Sequence, residues 1–242
     1  VRKPVGVSMA KDVSRASTVW RATQTLLSAD PEVVLYACAS GSFIRGIAGE
    51  ESIRQTMLQA GAKRAVTTSS AMIEAFRTAG VRRVALATPY TERLTRALGS
   101  FVEDTGIEVV STSFLGIDRE LTNVSRETIR DLVMDAYHPD ADAVFVSCTA
   151  LRTFGIVAQL ESEMGIPVFT SNQVSLWAAL CAAQAMYRDD ERLLNPDELL
   201  GGASPMAQST SILLSHARQE QAWMAEAAMQ LPQIHPDEII VS

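Results

Sequence analysis

The sequence predicts an α/β fold made of two similar lobes that face each other. Short β-branched runs alternate with longer helical patterns along most of the chain, the signature of mostly parallel sheets flanked by helices. Gly80, Gly106 and Gly165 each stand between a helical pattern and the next apolar run, where a left-handed cap calls for a residue without Cβ. The third observation is an internal echo: Val34-Leu-Tyr-Ala-Cys38-Ala-Ser-Gly-Ser resembles Val144-Phe-Val-Ser-Cys148-Thr-Ala-Leu-Arg. Each unit is followed by a helical stretch and then by a second apolar run ending in small hydroxyl residues, at Thr67 to Ser70 and at Thr170 to Asn172.

Taken in order, strands are expected at 33–36, 64–67, 83–88, 108–114, 143–147 and 167–170, each apolar enough to be covered on both faces. Helices fill the gaps. Thr91 stands as the cap before a helix over 92–101, and Ser125 precedes Ile129, Leu132 and Val133 at helical spacing, with Thr128 three residues on. The apolar stretch 174–186 reads as a buried helix in which Cys181 is a packing residue, and it is too short for the ~20 apolar residues a membrane span needs. After Tyr187 come a charge run and a polar segment, where the lobes end. The stretch 209–231 then reads as one amphipathic helix, with Trp223 and Leu231 among its packing positions, docking on the body or on a second copy in a homo-oligomer. One lobe is expected over 1–80 with 172–242, the other over 81–171.

Composition narrows the function classes. With 242 residues, 47% of them hydrophobic, the chain has ample material for a core. Its net charge of -7 repels a phosphate backbone and an anionic membrane alike, so neither nucleic acid nor membrane is expected as a partner. The N-terminus lacks an initiator Met and has no secretory-signal pattern, which makes the cytoplasm the expected location. Cys38, Cys148 and Cys181 lie far apart with no zinc-ligand spacing, which disfavours a disulfide framework or a structural metal.

Ligands of open α/β sheets bind beyond the carboxyl ends of strands, where both Cys38 and Cys148 are expected to lie. The residues after Cys38 are small and polar, so the amides of Ser40, Gly41 and Ser42 can form a nest that favours an anion; Thr149 and Ala150 can do the same after Cys148. The same partial positive charge favours a thiolate. One thiolate as base or nucleophile, with a protonated thiol across a cleft as acid, would act on the two faces of a small carboxylate substrate.

In these segments, together with Thr88-Pro-Tyr-Thr and Thr170-Ser-Asn-Gln, the chain resembles the Asp/Glu racemase superfamily, in its branch of maleate cis-trans isomerases, arylmalonate decarboxylases and the related ectoine-utilisation protein. The resemblance implies two α/β lobes related by a pseudo-twofold, an active site in the cleft between them with one cysteine from each, and no metal or organic cofactor. It implies an isomerase of the maleate type in which Cys38 adds to the alkene, Cys148 handles the proton at the other face, and Tyr90 hydrogen-bonds a substrate carboxylate. Racemisation of an amino-acid derivative, as in ectoine breakdown, and carboxylate binding without catalysis are the alternatives. Members of the superfamily begin with a strand and a polar loop that supplies an Asn; nothing before Val5 fits that unit, so either the chain starts late or the contact is missing. Where the isomerases place another Asn, this chain has Asp118, which would repel a dicarboxylate by about 4 kcal/mol at 4 Å and an effective dielectric of 20, or mark a substrate that carries an amine.

Overall fold

The strands form where β-branched and aromatic residues run together, and all of them pair in parallel. The computed structural model describes residues 4–188. After helices α1 (Val7–Val13) and α2 (Ala16–Leu26), strand β1 (Val34–Tyr36) leads through α3 (Ala39–Phe43) and α4 (Gly46–Gln59) to β2 (Ala65–Thr67), which pairs with β1, Tyr36 opposite Thr67. Helix α5 (Thr68–Thr78) follows β2 without a loop. A second sheet of order β4-β3-β5-β6 then forms from β3 (Arg83–Thr88), β4 (Glu108–Phe114), β5 (Ala143–Val146) and β6 (Val168–Thr170). Its helices are α6 (Glu92–Glu103), α7 (Arg126–Ala136) and α8 (Val157–Met164), and α9 (Ser171–Arg188) leaves β6 directly. No helix among the described residues is long and apolar enough to cross a membrane.

The main core is built on the four-stranded sheet and takes in α5, with half-buried Val66 of β2 packed against it. Phe76 of α5 packs edge-on against Phe145 of β5 and Phe169 of β6, each at a centroid distance of 5.6 Å. Such contacts add about 0.5–1.5 kcal/mol each to the burial of the rings. Residues Val84 to Ala87 and Ala143 to Val146 are wholly enclosed by the flanking helices. A smaller cluster of Val19, Val34, Ile53 and Met57 lies between β1 and helices α2 and α4.

The internal echo is visible as a repeated unit. In each half a strand leads to a thiol, then to helix, parallel partner strand and helix, and the final helices α5 and α9 pack on one another. Their starts match as well: the Thr67 side chain accepts from the Ser70 amide at 3.0 Å, and that of Thr170 from the Gln173 amide at 3.3 Å. Between them, Ser175 of α9 donates to Thr68 of α5 at 3.0 Å.

The two-stranded and four-stranded sheets hold the six expected strands. Several expectations are corrected. Strand β4 is not covered on both faces: its residues are exposed or half-buried along its length, whereas β6, the other edge of the sheet, is wholly buried. Val174 and Ser175 of α9 are buried, while Leu180 and Cys181 are exposed, so Cys181 does not fill the core of the described residues. Thr91 stands at the N-cap of α6 without a side-chain capping bond, whereas Ser125 accepts from Thr128 as expected. The proposed helix over 209–231 lies outside the described residues.

Candidate active site

Cys38 follows β1 by two residues. Its backbone remains extended, φ -138° and ψ 99°, and it caps the N-terminus of α3. The two-residue period of a strand puts Tyr36 and Cys38 on one face, and the Tyr36 hydroxyl lies beside the Cys38 thiol, with burial first and Cys38 second in raising the phenol far above its ordinary pKa. Ser40 is buried, its Oγ 3.8 Å from Cys38 Sγ. Gly41 is needed here for space, since a methyl at that position would collide with the Tyr36 hydroxyl. Ser42 is fully engaged: its amide donates to Cys38 O at 3.0 Å, and its hydroxyl bonds Ala39 O and Ser69 Oγ. The anion-binding nest expected from three amides therefore loses Ser42, whose N–H already closes the first turn of α3.

Cys148 follows β5 by two residues, but its surroundings differ from those of Cys38. A turn rather than a helix comes next, and its φ is +115°, a left-handed value that is strained for any residue with a Cβ. Ser171, the first residue of α9, accepts the Cys148 amide at 3.0 Å, and Asn172 donates to the carbonyls of Thr149 and Leu151. These bonds hold the turn closed. The amide of Ala150 faces the Cys148 sulfur, whereas that of Leu151 donates to the Cys148 carbonyl at 3.3 Å. Burial is the larger effect and pushes the thiol up from its ordinary pKa, with the nearby Cys38 acting in the same direction, while the Ala150 amide and Tyr90 oppose it. Cys148 is therefore a protonated thiol at neutral pH, next to donors that would receive its negative charge.

Tyr90, two residues past β3, brings the halves together. It is 1% exposed, tilted against Phe43 of α3, with Ser147 Oγ donating to its hydroxyl at 3.5 Å. Burial raises its pKa well above the ordinary range, with further contributions from Cys148 and from Cys38, so both sulfurs lie near this phenol. Across the exposed side, Thr149 Oγ1 donates to Ala37 O at 3.3 Å and ties the two cysteine loops together. Asp118 lies in the loop after β4, whose Gly116 and Ile117 amides donate to the carbonyls of Tyr90 and Pro89; its side chain is 47% exposed, 4.0 Å from Arg119, and its backbone carbonyl accepts from the Val5 amide. Arg152 is exposed. Among the described residues no three His, Cys, Asp or Glu side chains gather as a metal would require.

The sequence motifs contain Tyr36, Ser147, Ser171 and Asn172 but assign them no role. Tyr36 could have been found from its distance of two from Cys38, and the others from the hydroxyl and amide residues that flank Cys148 and open α9.

Compared with known proteins, the chain matches the arylmalonate decarboxylase family over residues 12–192. It is 32% identical to the arylmalonate decarboxylase of Bordetella bronchiseptica over 152 residues, 61% of this chain and 63% of that protein. It is 25% identical to the maleate isomerase of Geobacillus stearothermophilus over 157 residues, 62% of each. The match thus spans less than two thirds of the length of these two relatives. Among solved structures, a liganded arylmalonate decarboxylase mutant with one glycine changed to cysteine and one cysteine to serine superposes with a TM-score of 0.71 at 29% identity, covering 75% of this chain and 78% of that one.

Proposed function

Because the chain belongs to the arylmalonate decarboxylase and maleate isomerase family of the Asp/Glu racemase superfamily, we propose that it is a two-thiol isomerase acting on a small unsaturated dicarboxylate of the maleate kind. The observation that carries this reading is the meeting of Cys38 and Cys148 around Tyr90, with unlike surroundings. Half-buried Cys38 is the nucleophile. Its thiolate adds to one alkene carbon, the π electrons move toward the neighbouring carboxylate, and Cys148 delivers its proton to the other carbon. Ala150 and Tyr90 stabilise the Cys148 thiolate left behind. Rotation about the new single bond, return of the proton to Cys148 and expulsion of Cys38 give the trans product, so every atom is returned and no metal or organic cofactor is needed.

Support also comes from the relative of known structure. The glycine and cysteine exchanged in that decarboxylase mutant are separated by nearly the same length of chain as Cys38 and Cys148. A decarboxylase with glycine at the first position has one thiol where this chain has two. Proton NMR of maleate in deuterated buffer tests the reading: fumarate forms with the full chain and not with Cys38→Ala. Maleate left intact by both would overturn it.

The identity of 32% to an arylmalonate decarboxylase favours a second reading, loss of carbon dioxide from a substituted malonate with Cys148 protonating the resulting carbanion. Carbon dioxide release from phenylmalonate that survives Cys38→Ala and is lost in Cys148→Ala would select that activity.

A further inference from the structure

The Tyr36 hydroxyl is a buried polar atom with no hydrogen-bond partner among the described residues. Leaving such an O–H unpaired costs about 1–3 kcal/mol, yet the local structure holds it in place. Strand β1 directs the ring toward the face that carries Cys38, and α3 closes over it through Gly41, whose lack of a side chain makes room for this oxygen. The ionisable groups set against Cys38 are Tyr36 from its own strand and, from the other sheet, Tyr90 and Cys148. Tyr90 is already engaged by Ser147 and Cys148. A neutral thiol is a weak acceptor and a thiolate a strong one, so an unsatisfied donor beside Cys38 becomes satisfied when that thiol loses its proton.

We propose that the Tyr36 hydroxyl is the donor reserved for the Cys38 thiolate, making Tyr36 a positioning residue that prepares the nucleophile, as Tyr90 serves Cys148. The inference rests on the reading of Cys38 as nucleophile, but its test needs no substrate. The full chain and Tyr36→Phe are alkylated with iodoacetamide between about pH 6 and 10, and the rate at each cysteine is read by peptide mass spectrometry. The expected result is a Cys38 midpoint higher by about one pH unit in Tyr36→Phe, hence roughly tenfold slower alkylation near neutral pH, with exposed Cys181 unchanged as the reference. Gly41→Ala, which keeps the hydroxyl but displaces it, shifts the Cys38 midpoint in the same direction. A Cys38 midpoint that stays put or falls in Tyr36→Phe overturns the proposal, as does a shift in Gly41→Ala alone. If the shift occurs while maleate is not converted, this inference stands and the isomerase reading falls; if Cys38-dependent conversion occurs with no shift, the reverse holds.

Discussion

The backbone at Cys148, with φ at +115°, is one that glycine adopts freely and a residue with Cβ adopts at a cost of about 1–3 kcal/mol. That cost makes an unusual ordering testable. Alanine normally exceeds glycine in stability by about 0.5–1 kcal/mol; here Cys148→Gly should melt above Cys148→Ala, and both should lose proton transfer. Calorimetry of the two variants checks it. Glu50 of α4 is the other residue under tension: it is 8% exposed, burial raises its carboxyl pKa above the usual range, and the Thr67 hydroxyl, donating at 2.6 Å, opposes that shift without cancelling it. A carboxyl raised on folding contributes stability that is fully present below the unfolded pKa and lost as pH rises through the folded pKa. Glu50→Gln removes the proton uptake, so urea titrations should show the wild type losing stability relative to this variant as pH rises from the ordinary carboxylate range toward neutrality.

Among the elements, the helix starts carry unequal weight. Thr67 caps α5, shares a reciprocal bond with Ser70 and supports Glu50 from a fully buried position, so Thr67→Ala should cost about 2–3 kcal/mol. Ser125, an exposed cap on α7, should cost only about 1 kcal/mol when changed to Ala. Chemical denaturation of both variants tests the contrast. The Ser125 cap and the positive φ at Gly80, Gly106 and Gly165 were legible in the sequence because each expresses a local rule. The six strands were legible for the same reason, to within a residue at their ends. The exposure of β4 was not, because which strand faces the helices cover depends on contacts far apart in sequence. Cys38 and Cys148 look alike in their strings, yet one precedes a helix and the other a strained turn fastened by Ser171, a residue 23 positions away.

Taken whole, residues 4–188 have one main core built on the four-stranded sheet, into which the first half inserts α5, with Phe76 seated against Phe145 and Phe169. Heat unfolding should therefore show a single transition with equal calorimetric and van't Hoff enthalpies, rather than one transition per half. The location of the candidate site at the carboxyl ends of the strands could be read from the residues, but the convergence on Tyr90 was expected only from the family resemblance, since it requires β1, β3 and β5 to be placed together in space. The direct passage of β2 into α5 and of β6 into α9 has a further consequence for how such a fold can diversify. Neither junction contains a residue that could accept added chain: one inserted amino acid after Thr67 or Thr170 would turn the whole following helix by about 100° and separate each cap from its amide. Added chain is therefore accommodated in the loops after β3, β4 and β5 and not at these two junctions.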